Sequence, residues 1–256
     1  MDFLIAILPD GLPLWAAIAA IFASFLTAAL TAAFGIGGGL ALLAVMSAIF
    51  PAAAVVPIHG VAQLGSNAGR FYLQRKDVVW PIVLWFTLGS IVGAFAGGRI
   101  ALGMPVWALR GGVAIFILYT LWGPRPASLS PGKKTFFATG VVGSFLTMFF
   151  GATGPIAATM LSAAKLDRLN TVATHAACMA AQHSLKILIF GLLGFAYAEW
   201  ASLIIAILVF GFIGTATGTH YLRKMPEHYF KKGFRTVLTV IAFYLLLAAG
   251  LELRTG

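Results

Sequence analysis

Residues 14–39 read LWAAIAAIFASFLTAALTAAFGIGGG, an apolar run that ends in a cluster of glycines. The part from 14 to about 33 is long enough to cross a bilayer, because a helix needs roughly 20 apolar residues to span the hydrocarbon core. The glycines then interrupt the helix, because glycine is a poor helix former. A second apolar piece at about 40–50 is too short to span. The stretch therefore predicts a membrane helix that is broken or folded back at a glycine-rich turn.

The composition of the whole chain is that of a membrane protein. Hydrophobic residues make up 61% of the sequence and charged residues 9%, whereas a soluble domain carries about 25% charged residues. No Asp, Glu, Lys or Arg occurs between Asp10 and Arg70. The fold class predicted is an all-α integral membrane protein with about eight spans and short loops.

The formal net charge of +10 does not indicate a nucleic-acid partner. The Lys and Arg residues lie in short loops between apolar segments, which is the distribution that orients membrane proteins. We therefore expect no nucleic acid, and we expect the lipid bilayer as the surroundings of the chain.

An internal repeat divides the chain. Gly35–Gly39 resembles Gly151–Pro155, which lies 116 positions further on. The same offset pairs three polar residues of the first half with three of the second: His59 with His175, Asn67 with His183 and Arg70 with Lys186. The sequence therefore predicts two membrane repeats in one domain, residues 1–123 and 124–256.

Each repeat is predicted to contain a long apolar segment, a short one and three more long ones. In the first repeat the segments are about 14–33, 40–50, 52–74, 78–101 and 105–122. In the second they are about 134–150, 156–164, 169–192, 197–222 and 228–251.

The basic residues predict the topology. If each short segment returns to the side from which the chain entered, thirteen of the seventeen Lys and Arg residues face the cytoplasm, as the positive-inside rule requires. Both termini then lie on the outer side of the cell (inner or plasma) membrane. The two repeats have opposite orientations, each with about four transmembrane helices and a glycine-rich broken or re-entrant hairpin. Inverted repeats with interrupted helices are typical of secondary transporters.

Several motifs are similar to those of the sulfite exporter family TauE/SafE, also known as toluene sulfonate uptake permeases. They are Gly35–Gly39 with its degenerate copy, the series His59-Gly60-x-x-Gln63-x-x-Ser66-Asn67-x-x-Arg70, and glycines at 89, 93 and 97. The resemblance runs from about residue 20 to 250. It implies a transporter of sulfite, sulfonates, sulfoacetate or related sulfur or carboxylate anions.

The glycine breaks are the first candidate for an anion site. A broken helix exposes backbone N–H groups that must be buried in protein or line a cavity, and the N-terminus of a helix attracts an anion. The alternative is close helix packing through small residues. The candidate residues of the breaks are Gly35, Gly37, Gly38, Gly39, Gly151, Thr153 and Gly154.

Two stripes of polar residues are the second candidate. Residues three or four apart share one face of a helix, and polar faces of membrane helices usually point to the bundle interior or a water-filled path. The alternative is hydrogen bonding between helices without ligand contact. The stripes are His59, Gln63, Ser66, Asn67 and Arg70 on one segment, and His175, Met179, Gln182, His183 and Lys186 on another.

These observations favour a secondary transporter of a small sulfur-containing or organic anion, such as sulfite, thiosulfate or a sulfonate. Export is favoured because no carboxylate lies mid-membrane to couple uptake, and the inside-negative potential drives anions outward. A soft-metal transporter is the alternative, because His175, Cys178, Met179 and His183 occur in one segment. We expect no enzyme and no cofactor, since no arrangement of acid, base and nucleophile is present.

Overall fold

The computed structural model describes residues 9, 12–34, 37–101, 104–123, 130–220 and 227–255, and these contain helices and no β-strand. In this part of the chain ten α-helices follow one another: α1 (Leu14–Phe34), α2 (Gly38–Ile49), α3 (Ala52–Leu73), α4 (Trp80–Ala101), α5 (Val106–Trp122), α6 (Lys133–Phe150), α7 (Gly154–Ala163), α8 (Arg168–Leu192), α9 (Ala201–His220) and α10 (Glu227–Thr255). Short 3-10 helices occur at Arg75–Asp77 and Tyr197–Trp200. The predicted all-α class is confirmed.

The chain breaks at both glycine motifs. Between α1 and α2 the residue before the short helix is Gly37, with φ of 105°, and between α6 and α7 Gly151 has φ of 72°. Both angles lie in the left-handed region that favours glycine. The short helix α2 begins at Gly38, two residues before the predicted start, because a glycine in the first turn does not prevent a helix from forming.

Helix ends recur at the spacing of the predicted repeat. The ends of α1 and α6, the starts of α2 and α7, and the starts of α3 and α8 are each 116 positions apart. In both halves a long helix is followed by a short one, and the short one by two long ones. The order of helix lengths in the described residues therefore agrees with the predicted segments.

Three helices of the described residues are long and apolar enough to cross a membrane: Leu14–Ala32, Trp80–Ala101 and Tyr197–Gly218. The count is lower than the predicted eight for a physical reason. Helices α3 and α8 carry the polar stripes, α6 starts with two lysines, and α5 has only 17 residues. The polar helices α3 and α8 pack against each other inside the bundle.

Exposed tryptophans mark the ends of several helices. Trp15, Trp80, Trp107 and Trp122 are all exposed and lie in the first or last turn of α1, α4 or α5. Tryptophan prefers the membrane–water interface, where its ring is half in lipid and half in water. Their positions fit helices that run from one interface to the other.

Glycines bring α4 against α6 at backbone contact. A Cβ on Gly89 would lie 2.0 Å from the carbonyl oxygen of Phe137, and one on Gly93 would lie 2.0 Å from that of Val141. The residue numbers of the contacts increase together along both helices, so α4 and α6 run parallel. Close approach through small residues is the usual way in which membrane helices pack.

The same contact recurs between α9 and α1. A Cβ on Gly214 would lie 2.1 Å from the carbonyl oxygen of Phe25, and one on Gly218 the same distance from that of Ala29. These two helices also run parallel. Each of the two glycine runs therefore packs on the first helix of the other half.

Helix α8 fixes the directions of its neighbours. The amide nitrogen of Val79, just before α4, donates to Thr174 Oγ1 at 3.0 Å, and Gly98 near the end of α4 lies against Ile189. Helices α4 and α8 are thus parallel. Helix α3 is antiparallel to α8, since its start shares a cavity with Leu193. We call the two ends of the bundle the Arg70 end (Arg70, Val79, Thr174) and the Leu193 end (Ala53, Ala101, Leu193).

The glycine contacts generate the first prediction. Replacing Gly93 by Ala forces α4 and α6 apart, because the carbonyl oxygen of Val141 cannot move without the helix backbone. Overpacking of this kind costs about 1–3 kcal/mol, so the thermal midpoint of the purified protein in detergent should fall. The matched control is Gly250→Ala, where a Cβ meets nothing within 4 Å. Equal melting of Gly93→Ala and the wild type would contradict the contact.

Candidate functional site

A buried lysine lies at the break between α6 and α7. The side chain of Lys186 is fully buried, and its Nζ donates a hydrogen bond to the carbonyl oxygen of Gly151 at 2.7 Å. Thr147 Oγ1 donates to the same oxygen at 3.0 Å. Gly151 ends α6, and the C-terminus of a helix attracts a cation. The lysine therefore satisfies a backbone acceptor that the broken helix leaves unpaired.

A glycine of α3 makes room for this lysine. A Cβ on Gly60 would lie 2.9 Å from Cδ of Lys186. The aliphatic part of the lysine thus passes across α3 at a position without a side chain. The neighbour of Gly60 in the sequence, His59, is also fully buried.

Two histidines surround the lysine. The rings of His59 and His183 meet edge to face with centroids 6.2 Å apart, and both interact electrostatically with Lys186. Nε2 of His59 lies 2.8 Å from the carbonyl oxygen of Gly39, so this nitrogen carries a proton and donates. Nδ1 of His183 and Nδ1 of His59 are both buried, and no described atom is hydrogen-bonded to either.

No carboxylate accompanies this group of basic side chains in the part of the chain that the structure describes. The ion pair found there joins Arg110 to Glu252. A buried cation without a carboxylate is costly, and an anion from solution can take the place of the missing partner. The three side chains His59, His183 and Lys186, which we call the central basic cluster, thus have the charge of an anion site.

A network of neutral side chains also holds the break between α6 and α7. Gln182 Nε2 donates to the carbonyl oxygen of Gly143 at 3.0 Å and to Thr153 Oγ1 at 2.7 Å. Thr153 Oγ1 in turn donates to the carbonyl oxygen of Gly143 at 3.0 Å. Both side chains are buried. They join α6, α8 and the residue before α7 into one unit.

In each half, a histidine on the long helix that follows contacts the first turn of the short helix. His59 of α3 donates to the carbonyl oxygen of Gly39 in α2. His175 of α8 has Nε2 3.2 Å from the carbonyl oxygen of Gly154 in α7. Met179 lies beside the same glycine, with Sδ 4.0 Å from the place of a Cβ on Gly154. The equivalent contacts tie each short helix to the long helix that follows it.

A cavity of about 200 Å³ opens toward the Arg70 end, between α1, α3 and α9. Gln63, Ser66 and Arg70 of the first stripe line it, together with Thr27 and Thr31 of α1. Arg70 is held in place by hydrogen bonds to Asn67 Oδ1 at 2.9 Å and to the carbonyl oxygen of Ser66 at 3.4 Å. We call this the polar cavity.

A second cavity, of about 340 Å³, lies at the Leu193 end. It is lined by apolar residues from the start of α3 and the ends of α4, α6 and α8, among them Val56, Ala101, Met148 and Leu193. We call it the apolar cavity. Residues 58–61 of α3 line neither cavity. This interval contains His59, a member of the central basic cluster, and Gly60, which lies against Lys186.

Comparison with known proteins identifies the family of the chain. The family description "Sulfite exporter TauE/SafE" matches residues 20–245. The chain belongs to the sulfite exporter TauE/SafE family. It is therefore a protein of a membrane-transporter family whose substrates are small anions. Searches of the curated proteins and of the solved structures found no match.

The structure distributes the predicted TauE/SafE site residues over several environments. Gln63, Ser66 and Arg70 line the polar cavity, and Asn67 is buried behind it, where its Nδ2 donates to the carbonyl oxygen of Gln63 at 2.7 Å. His59, His183 and Lys186 form the central basic cluster with the carbonyl oxygen of Gly151. The polar stripes therefore do not form one continuous surface.

The predicted glycines have separate positions too. Gly38 lies against α1, where a Cβ would be 2.0 Å from the carbonyl oxygen of Thr27, and Gly39 lies 2.7 Å from Gln63 Oε1 by the same measure. Gly37 precedes α2 and Thr153 precedes α7. Gly35 lies outside the described residues.

Sequence reasoning missed several residues of the site. Thr147 binds Gly151 from one turn earlier in α6, Gly60 admits Lys186, and Gly143 accepts from Thr153 and Gln182. The spacing of Thr147 and Gly151, four apart, could have indicated a hydroxyl that binds a helix end. The role of Gly60 depends on a partner helix, which no local pattern reveals.

The neutral network generates the second prediction. Replacing Thr153 by Val removes hydrogen bonds to Gly143 and Gln182 and leaves buried polar atoms without partners, which costs about 1–3 kcal/mol. The thermal midpoint should fall. The matched control is Thr217→Val, because Thr217 Oγ1 bonds only to its own helix, at the carbonyl oxygen of Ile213. A Thr153→Val protein as stable as the control would disprove the network.

Proposed function

We propose that the chain is a secondary transporter that carries a small sulfur-containing or organic anion, such as sulfite, thiosulfate or a sulfonate like sulfoacetate, across the cell inner membrane. One observation carries the proposal. Lys186 is fully buried and has no carboxylate partner among the described residues, and it contacts α3 at Gly60, between a cavity near the Arg70 end and one near the Leu193 end. The anion takes the place of the missing carboxylate.

We also propose that the two halves are inverted repeats. Helix α1 runs parallel to α9 and α4 runs parallel to α6, while α3 is antiparallel to α8. Equivalent helices of the two halves then have opposite directions. Inverted repeats with broken helices that meet near the bilayer midplane are typical of secondary transporters.

Each short helix folds back to the end from which its long partner came. Phe50, after α2, packs against Trp200 just before α9, and α1 starts at the same Leu193 end because it is parallel to α9. Leu161 of α7 packs with Val78 at the Arg70 end, and Lys133 at the start of α6 lies over Trp85 there. These contacts support two hairpins that enter from opposite sides.

In this proposal the anion enters the polar cavity at the Arg70 end, which the basic loops predict to be cytoplasmic. Arg70, Ser66 and Gln63 receive it, and the central basic cluster binds it next. Lys186 then exchanges the carbonyl oxygen of Gly151 for the anion. Release follows through the apolar cavity, after the residues that separate it from the cluster have moved apart.

Export fits the charges better than uptake. The inside-negative potential drives a monovalent anion outward by about 2.3 kcal/mol for each 100 mV. The helices α3 and α8, which contain the cluster, have no acidic residue within them. An outward flux of anions needs no sodium site.

The soft-metal alternative finds no support in the contacts. Cys178 packs among apolar residues, including Met160 and Ala173, and is buried. The described residues contain no group of three or more His, Cys, Asp or Glu side chains that could hold a metal ion. The contacts of the described residues therefore favour the anion proposal over the soft-metal one.

The third prediction tests the proposed site. In proteoliposomes under an imposed potential, the wild type should carry sulfite or thiosulfate. Lys186→Met should reduce that flux roughly tenfold or more, since a hydrogen bond to a charged group contributes about 1.5–3 kcal/mol. The variant should be less stable but still folded, because a methionine of similar length fills the same space and Thr147 Oγ1 still donates to the carbonyl oxygen of Gly151.

Tyr244→Phe, an exposed position on α10, is the control and should carry the anion like the wild type. Full flux in Lys186→Met would exclude the lysine from the path. A wild type that moves a soft-metal ion and none of the sulfur anions would overturn the substrate class.

A further inference from the structure

His183 of the central basic cluster differs from His59 and His175 in its hydrogen bonds. His59 and His175 each have Nε2 near a carbonyl oxygen of a short helix. His183 is 4% exposed, and its buried Nδ1 has no described partner. A buried polar atom without a partner is unusual and calls for an explanation such as a ligand or a functional role.

The described residues that interact with His183 are bases. His59 faces it from α3, and Lys186 and His175 interact with it from its own helix. Asp77 belongs to the 3-10 helix that packs on α8, but it lies at the N-terminal end of α8, where Asn170 Nδ2 donates to its carbonyl oxygen at 2.7 Å. Helices α4 and α6 also pack on α8, but their described charged residues, Arg99 and Lys133 with Lys134, are exposed at the helix ends. Helix α7, which touches α8 as well, has no titratable residue.

The charge of the cluster limits which anions it can hold. A protonated Lys186 balances a monovalent anion. A divalent anion leaves one negative charge uncompensated in a buried site, and an isolated buried charge costs several kcal/mol. The cluster can remove that charge by accepting one proton, and imidazole is the side chain that does so near neutral pH.

We propose that His183 is a proton-binding site that fills when a divalent anion binds beside Lys186, so that the chain moves a divalent anion together with one proton. This inference rests on the proposed function. Nδ1 of His59 has no described partner either, but Nε2 fixes the ring of His59 to α2, and Nε2 of His175 lies near α7 in the same way. No hydrogen bond to a described residue holds the ring of His183, so His183 is the histidine that can turn toward the anion and accept the proton. Lys186 supplies one positive charge and His183 the second.

The proton comes from water on the side from which the anion enters. It adds to the lone pair of the neutral imidazole, and the imidazolium that forms pairs with the anion. When the anion leaves on the other side, the imidazolium returns its proton to the water there. One turnover thus moves one divalent anion and one proton, with a net charge of minus one.

The test uses the full chain in liposomes that enclose a pH-sensitive dye, with the membrane potential clamped by potassium and valinomycin. Thiosulfate is the divalent probe and methanesulfonate the monovalent one. Wild-type thiosulfate entry should acidify the lumen by one proton for each anion carried. A tenfold proton gradient should balance a tenfold opposing thiosulfate gradient, and methanesulfonate entry should leave the lumen pH unchanged.

His183→Gln keeps a polar side chain that cannot bind the proton. Its thiosulfate entry, at whatever rate remains, should cause no acidification. Calorimetry of thiosulfate binding in two buffers that differ in ionisation enthalpy provides the second measurement, because it counts protons taken up even if flux is lost. The wild type should take up one proton on binding and His183→Gln none.

Three results overturn the inference. Wild-type thiosulfate flux without acidification refutes it and leaves the proposed function intact. Proton uptake retained in His183→Gln also refutes it and assigns the proton to another group. A wild type that carries no sulfur anion refutes the proposed function, and the inference falls with it.

Discussion

The hydrogen bond from Lys186 to the carbonyl oxygen of Gly151 is the interaction on which the rest of the structure depends. A broken helix cannot leave its last carbonyl groups unpaired inside a membrane protein. The charged amine satisfies one of them, and the negative end of the α6 dipole stabilises the buried charge in return. The same bond positions α8 against the break, and Gly60 lets α3 pack over the lysine. Fold and candidate site therefore have a common origin.

The position of this bond connects it with transport. The polar cavity lies near the Arg70 end and the apolar cavity near the Leu193 end, and His59 of the central basic cluster lies on the stretch of α3 between them. In the proposed mechanism, an anion that binds Lys186 competes with the carbonyl oxygen of Gly151, and so acts on one of the contacts that fix α6 at its break. The proposal thus couples anion binding to rearrangement of the hairpin through Lys186.

Much of the fold could be predicted from sequence, because its determinants are local. The apolar run of α1 and the glycines after it predicted a break that the structure contains, and the spacing of 116 positions recurs in the helix ends. The site was less predictable. The stripe from His59 to Arg70 shares a helix face, but neighbouring helices divide it between the central basic cluster and the polar cavity. Asn67 is occupied by Arg70 and the backbone, which depends on side-chain geometry that the residue spacing does not contain.

The central claim is that the cluster separates two cavities of opposite access, and cysteine labelling tests it most directly. The sole cysteine, Cys178, is buried and is replaced by Ser. New single cysteines are placed at Ser66, in the polar cavity, and at Ala53, in the apolar cavity. A membrane-impermeant thiol reagent is then applied to each side of oriented vesicles. The account predicts that Ser66→Cys reacts from one side only and Ala53→Cys from the other. Reaction of both from the same side would contradict it.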